Sequence, residues 1–172
     1  ARVVPSGKRI IAATRNAGAS AAQGPHLLFL DADTLLNPTV LQEMIQAFEQ
    51  GYIGGGTTIQ WDRRVPWHAQ VGCSGWNLIS RLFRLPAGSF FFVTKQAFIA
   101  VGGFDEEYLV SEEIHFAKKL KRLGKVKILQ TPIKTSSRKV FDYSFLTMFR
   151  FSMRSLFAPW KTAKDRTKLD MW

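Results

Sequence analysis

Apolar and polar positions alternate in short blocks along the chain, and the blocks differ in period. Ile10 to Ala22 is alanine-rich and stops at Gly24-Pro25, which predicts a short helix closed by a turn. Leu27-Leu28-Phe29-Leu30 is a short, wholly apolar run, as expected of a strand buried on both faces, and it ends abruptly at Asp31-Ala32-Asp33-Thr34. Asn37 followed by Pro38 is a helix start, and Val40, Leu41, Met44, Ile45 and Phe48 then recur at helical spacing until Gly51. Gly54-Gly55-Gly56 reads as a loop that feeds a strand through Thr57-Thr58-Ile59 to Trp61. Pro66 to Leu85 reads as one helix ending before Pro86.

Gly88-Ser89 opens a second buried strand, Phe90-Phe91-Phe92-Val93, after which Thr94 caps a short helix that runs through Val101 to Gly102-Gly103. Ser111 is expected to cap a helix reaching Leu123 and closed by Gly124, with Val126 to Leu129 as a last short strand. Beyond it, Phe141, Phe145, Met148, Phe149, Ser152, Met153 and Leu156 share one broad helical face, with Arg150 and Arg154 opposite. Strands alternating with helices predict an α/β sandwich around a mostly parallel sheet over residues 1–139, followed by a basic, aromatic amphipathic segment over 140–172.

A chain of 172 residues with 46% hydrophobic and 22% charged residues can bury a real core, which excludes the disordered, collagen-like and disulfide-stapled classes. Cys73 is the only cysteine and reads as a small apolar filler. No apolar run approaches the roughly 20 residues of a membrane span, and Ala1 to Ala13 lacks the apolar core of a signal peptide, so a cytoplasmic location is expected. The formal charge of +11 is unevenly spread: residues 1–114 carry −1 and residues 115–172 carry +12. Basicity confined to the last third admits nucleic acid, an anionic membrane surface or phosphate-bearing substrates as partners.

Candidate chemistry gathers at carboxylates. Asp31 and Asp33 stand at the carboxyl end of an expected strand, where open α/β sheets place ligands, and one intervening residue lets both face the same side. Two such oxygens suit Mg²⁺ or Mn²⁺ shared with phosphate; the alternative is a pair of turn acids before the Asn37 helix. Asp105-Glu106-Glu107 and Glu112-Glu113 form a second acidic group. First-turn acids are favoured by the helix dipole, yet a carboxylate beside a metal-bound phosphate can also act as general base. His26, His68 and His115 lack metal-ligand spacing, and the Gly54 to Gly56 run is not followed by the Lys-Ser or Lys-Thr of a P-loop.

Taken in order, Arg15-Asn16-Ala17-Gly18, Leu27 to Thr34 (LLFLDADT), Gly88 to Phe92, Gly102-Gly103-Phe104-Asp105-Glu106 and Ser111-Glu112-Glu113 resemble the family 2 glycosyltransferases of GT-A fold, across about residues 7 to 139. The resemblance implies a three-layer sandwich and transfer of a sugar from a nucleotide-sugar donor to an acceptor hydroxyl of a glycan, lipid or small molecule, with inversion. It further implies a divalent metal held by Asp33 with Asp31, donor contacts from Asp31, Asp33, Arg15 and Asn16, and sugar or acceptor contacts from Gly88, Ser89 and Asp105. Glu113, with Glu112 beside it, stands where the family carries its catalytic base, although the usual pair is Glu-Asp.

Two departures accompany the match. Nothing before Arg15 resembles the family's first strands and acidic turn, so the chain is expected to be truncated at its N-terminus. Where some relatives have a metal-binding histidine, this sequence reads Thr135-Ser136-Ser137-Arg138-Lys139, whose two cations are suited to phosphates. The basic C-terminal segment suggests attachment to the cytoplasmic membrane face; the alternative is a core-packing helix with a solvated cationic face. The competing readings are a non-catalytic nucleic-acid-binding module, which leaves the acidic clusters without a role, and a degenerate transferase kept as a scaffold.

Overall fold

The computed structural model describes residues 2–109 and 111–142, apart from the side chains of Lys139 and Asp142. The elements follow the order α1 (Ile11–Ala21), β1 (His26–Leu30), β2 (Thr34–Leu35), α2 (Pro38–Glu49), β3 (Gly54–Trp61), α3 (Trp67–Phe83), β4 (Phe90–Thr94), α4 (Lys95–Ala100), α5 (Glu112–Leu123), β5 (Val126–Thr135) and α6 (Arg138–Asp142). Local signals start two of the helices as expected. The Asn37 side chain accepts a hydrogen bond from the Thr39 amide, with Pro38 at the first helical position, and the Thr94 hydroxyl accepts one from the Ala97 amide. Ser111 departs from its expected role. It lies in the left-handed region (φ 60°) and its hydroxyl makes no capping bond, so the start of α5 is a strained corner immediately before Glu112.

The five strands form one sheet in the order β1-β4-β3-β5-β2. It is mixed: β3 and β5 pair in parallel, whereas β4 is antiparallel to both β1 and β3, and β2 is antiparallel to β5. Strands β1, β3 and β5 therefore point the same way and bring their carboxyl ends to one rim. β4 occupies the most buried position. Its consecutive Phe90, Phe91 and Phe92 are all fully buried because alternate side chains enter opposite layers. Phe91 and Val93 pack with Ala12 and Ala19 of α1, Phe98 of α4, and Phe116 and Leu120 of α5. Phe90 and Phe92 pack with Val40, Met44 and Ala47 of α2. Each buried phenyl contributes roughly 2–3 kcal/mol of transfer free energy, so this one short strand anchors both layers.

Three strand expectations need correction. β1 is an edge strand rather than a doubly buried one: Leu27 is buried, but His26 and Leu30 are exposed, because only β4 pairs with it among the described residues. Gly54, Gly55 and Gly56 are strand rather than loop. A Cβ on Gly55 would lie 1.9 Å from the Lys127 carbonyl oxygen and one on Gly56 2.4 Å from Pro86 Cβ, so glycine is what lets β3 sit so close to its neighbours. β5 runs well past Leu129, across a register shift opposite Thr57 and Ile59 that accommodates Pro132. The amides of Gln130 and Thr131 there turn to the Glu43 carboxylate.

β4 covers β3 only at Gly54–Gly56, which leaves the rest of that strand edge to α3. The Asn77 side chain fills the gap, its Oδ1 accepting from the Ile59 amide at 3.0 Å and its Nδ2 donating to the Ile59 carbonyl at 2.8 Å. Cys73 packs beside it as the expected apolar filler, and burial pushes its thiol pKa up. Asn77→Ala should cost about 1–2 kcal/mol in urea unfolding, since it strips the partners from both the N–H and the C=O of partly buried Ile59. An unchanged midpoint would contradict that role. The apolar face expected beyond Phe141 continues into residues 143–172, outside the described residues.

Candidate active site

Arg15 organises the site. It projects from α1, with only 10% of its side chain exposed, and its guanidinium joins three segments far apart in sequence. Nη1 donates to Glu112 Oε1 at 2.6 Å, and Nη2 donates to the Gly88 carbonyl at 2.8 Å and lies 3.3 Å from Asp31 Oδ1. The Phe104 ring lies beneath it, with its centroid 5.4 Å from the guanidinium carbon. A planar cation with several fixed donors can hold such a set together; an ammonium cannot.

Asp31 sits at the carboxyl end of β1, where its amide donates to the Ser89 carbonyl and its own carbonyl closes a turn to Thr34. Asp31 and Asp33 are both exposed on this rim. Thr34 pairs with Thr135, so the Asp-Ala-Asp turn lies beside the stretch that leads to Arg138, a proximity that no local pattern signalled. There the Asp62 carboxylate accepts from both the amide and the hydroxyl of Ser137.

Asn16 acts on the Gly102-Gly103-Phe104 corner. Its side chain donates to the Phe104 carbonyl and accepts from the Phe104 amide, at 2.8 and 2.9 Å, and also meets Glu106, which Lys8 pairs at 2.6 Å. The Asp105 carboxylate caps its own loop by accepting from the Glu107 amide. Asn16 and Asp105 thus shape the wall behind the site, and Phe104 and Lys8, the latter passed over by sequence reasoning, belong to the same frame. Its one readable signal was the Gly-Gly-Phe-Asp-Glu block.

The acidic pair at the start of α5 is not a solvated first turn. Glu112 is only 3% exposed and is held by Arg15; burial pushes its carboxyl pKa up, against the pull of the guanidinium. Glu113 turns toward the Gly88 loop, where a Cβ on Gly88 would lie 3.4 Å from the Glu113 carboxyl carbon. Burial first, and then the neighbouring Glu112 charge, push Glu113 up to about 7. Ser89, which follows Gly88, has an enclosed hydroxyl with no hydrogen-bond partner among the described residues. The Glu113 carboxyl thus changes protonation near neutral pH, which suits a group that accepts a proton from a bound alcohol.

An open groove of about 640 Å³ runs between α1 and the free edge of β1 and ends at Asp31 and Ala32, with Arg9, Thr14 and Arg15 on its walls. Among the described residues no group of three or more His, Cys, Asp or Glu side chains could enclose a metal ion. Asp31 and Asp33 nonetheless fit a divalent cation that takes its remaining oxygens from a bound phosphate and water, which is how Mg²⁺ is usually held.

Comparison with known proteins identifies the family and the fold. The family model described as glycosyl transferase family 2 matches residues 1–151. The mannosyltransferase PcManGT from Pyrobaculum calidifontis, solved in complex with GDP-Man and Mn²⁺, superposes with a TM-score of 0.55 at 14% identity, over 86% of this chain and 44% of its own. S. aureus TarS 1-349 superposes with a TM-score of 0.52 at 16% identity, over 85% of this chain and 44% of its own. The chain therefore spans less than half the length of either solved structure, and at these identities the likeness is one of fold. No curated protein matches the sequence. With its GT-A-like sheet and a family match over most of its length, the chain belongs to glycosyl transferase family 2.

Proposed function

We propose that this chain forms part of an inverting, metal-dependent glycosyltransferase that moves a sugar from a nucleotide-sugar to an acceptor hydroxyl. The observation that carries this reading is the convergence on Arg15 of the Asp31 strand end, the Gly88 loop and the Glu112-Glu113 corner. Asp33 and Asp31 would hold the metal, and when bound it neutralises charge on the departing diphosphate.

The remaining work falls to the chain's own groups. Glu113, as carboxylate, takes the proton of the acceptor hydroxyl. The oxygen then bonds to the anomeric carbon from the face opposite the diphosphate, as the bond from that carbon to the diphosphate oxygen breaks and its electron pair leaves with the diphosphate. Ser89 and the Gly88 carbonyl line the position of the sugar and acceptor, and Arg15 keeps Asp31 and Glu112 in register. Arg138, exposed beside the Asp31 turn, adds positive charge on the phosphate side. Of a glycan, lipid or small-molecule acceptor, a lipid-borne hydroxyl is the form favoured by the basic last third of the chain.

The test is nucleoside-diphosphate release by the natural-length protein across a panel of sugar nucleotides with Mg²⁺ or Mn²⁺. Asp33 is exposed on a turn, so Asp33→Asn should leave the melting temperature unchanged and lower release by about 100-fold or more, the scale of losing one electrostatic contact to developing charge. Absence of release with every donor, or release indifferent to metal and to Asp33→Asn, would overturn the proposal.

A further inference from the structure

Helix α3 is 17 residues long and carries one Lys, Arg, Asp or Glu, namely Arg81. Cys73, Asn77 and Ser80 face β3 and the core. Trp67, Val71, Leu78 and Leu82 face the other way and are exposed, Trp67 at 78% and Leu82 at 67%. At 100° per residue these four fall within about 60° of arc, and at 1.5 Å per residue the row is about 22 Å long. Ordinary surface helices have a charged outer face; this one has an apolar row there. Phe83 extends the exposed apolar surface at the C-terminal end.

Cations bracket the row. Arg63 and Arg64 precede Trp67; Arg81 and Arg84 close the helix, with Lys121 donating to the Phe83 carbonyl. None of the ion pairs among the described residues engages these side chains, although Arg63 donates to the Ser137 hydroxyl at 3.0 Å and lies over the Phe141 ring, and Arg81 donates to the Gln130 carbonyl at 3.2 Å. We propose that the outer face of α3 is a membrane-docking surface that seats its apolar row in the interface of an anionic bilayer while the flanking arginines meet lipid phosphates. Charge selects this occupant. Residues 143–172 carry six Lys and Arg against two Asp, so as a cover for α3 they would set cation against cation. A second copy of the chain would set the same basic rim against itself. Of these occupants it is an anionic lipid surface that satisfies both the apolar row and the basic ends. The inference stands on the helix face and does not depend on the transferase reading.

The experiment places an environment-sensitive nitrobenzoxadiazole probe at Leu78→Cys, or separately Leu82→Cys, in a full-length Cys73→Ser background, with Gln96→Cys on α4 as control. Vesicles of phosphatidylcholine with phosphatidylglycerol should raise and blue-shift emission several-fold at positions 78 and 82, less so as salt rises, and leave position 96 unchanged. Pure phosphatidylcholine should have little effect. Combined Arg63→Ser, Arg64→Ser and Arg84→Ser should weaken vesicle binding by at least about tenfold, since each interfacial cation contributes roughly fivefold. Three results would overturn the proposal: no vesicle binding, binding that leaves both α3 probes silent, or probes already shielded without lipid. In the last case, shielding that persists on dilution identifies the chain itself as the cover, and shielding lost on dilution identifies a second copy.

Discussion

Glu113→Gln in the natural-length protein should lower the transfer rate by about 10²–10⁴-fold, the usual contribution of a positioned general base, while making the fold more stable at alkaline pH. The two effects have one cause. Burial and the neighbouring Glu112 push the Glu113 carboxyl from its ordinary 4.5 to about 7, so the folded protein holds a proton there that the unfolded chain has released. A raised carboxyl pKa makes the contribution to stability greatest below pH 4.5; it falls as pH rises toward 7 and then levels off. The neutral amide avoids that loss. Its melting temperature should exceed the parent's at pH 8, by an amount corresponding to at most ~3 kcal/mol, and the gain should shrink toward pH 5. The parent's rate should climb through pH 7 as the base becomes available, and the residual rate of the variant should lack that climb. Full transfer activity in the glutamine variant would remove Glu113 from the reaction; equal melting temperatures at pH 8 would refute the burial argument.

Arg15→Ala should cost about 3–5 kcal/mol, the range for breaking a buried ion pair by removing one partner. The reason lies with Glu112. It is 3% exposed, and the guanidinium 2.6 Å away is what offsets the charge of its carboxylate. Removing Arg15 also takes the donor from the Gly88 carbonyl and the cation from above Phe104. Since protonated Glu112 is cheaper to bury than the carboxylate, the cost should be largest at pH 8 and diminish as pH falls. Arg15→Lys should recover only part of it, because one ammonium cannot span all three partners in a fixed plane. A loss below about 1 kcal/mol in urea unfolding at pH 8 would mean that Glu112 finds another partner, and the site would then be organised differently from the description above.

The legibility of this protein divides by the range of the forces involved. Asn37-Pro38 and Thr94 announced their helices because a cap acts within one turn of its own residue, and Phe90-Phe91-Phe92 announced a buried strand because successive side chains enter both layers whatever lies beyond. The Asp31-Ala32-Asp33 turn was readable at the end of its strand for the same local reason, and its combination with the other four blocks carried the family resemblance that the 1–151 match bears out. Direction and depth were not local. That β4 runs against its neighbours, and that β1 lies at an edge, are decided by which strands pair, and a strand's own residues do not encode that. The glycines of β3 read as a loop until Lys127 and Pro86 were seen to press against them. Glu112 and Glu113 read also as solvated first-turn acids, because the dipole that favours them is a property of the helix alone; Glu112 is buried against Arg15, 97 residues away in sequence, and the proton on Glu113 comes from desolvation and the Glu112 charge. The sequence by itself therefore determined the longer helices, the Phe90-Phe91-Phe92-Val93 strand and the chemical types at the site, all set by interactions within a few residues. Only the tertiary structure decided which carboxyl is paired and which holds a proton near neutral pH, because desolvation and Coulomb energy depend on what packs around a group, not on what precedes it in the chain.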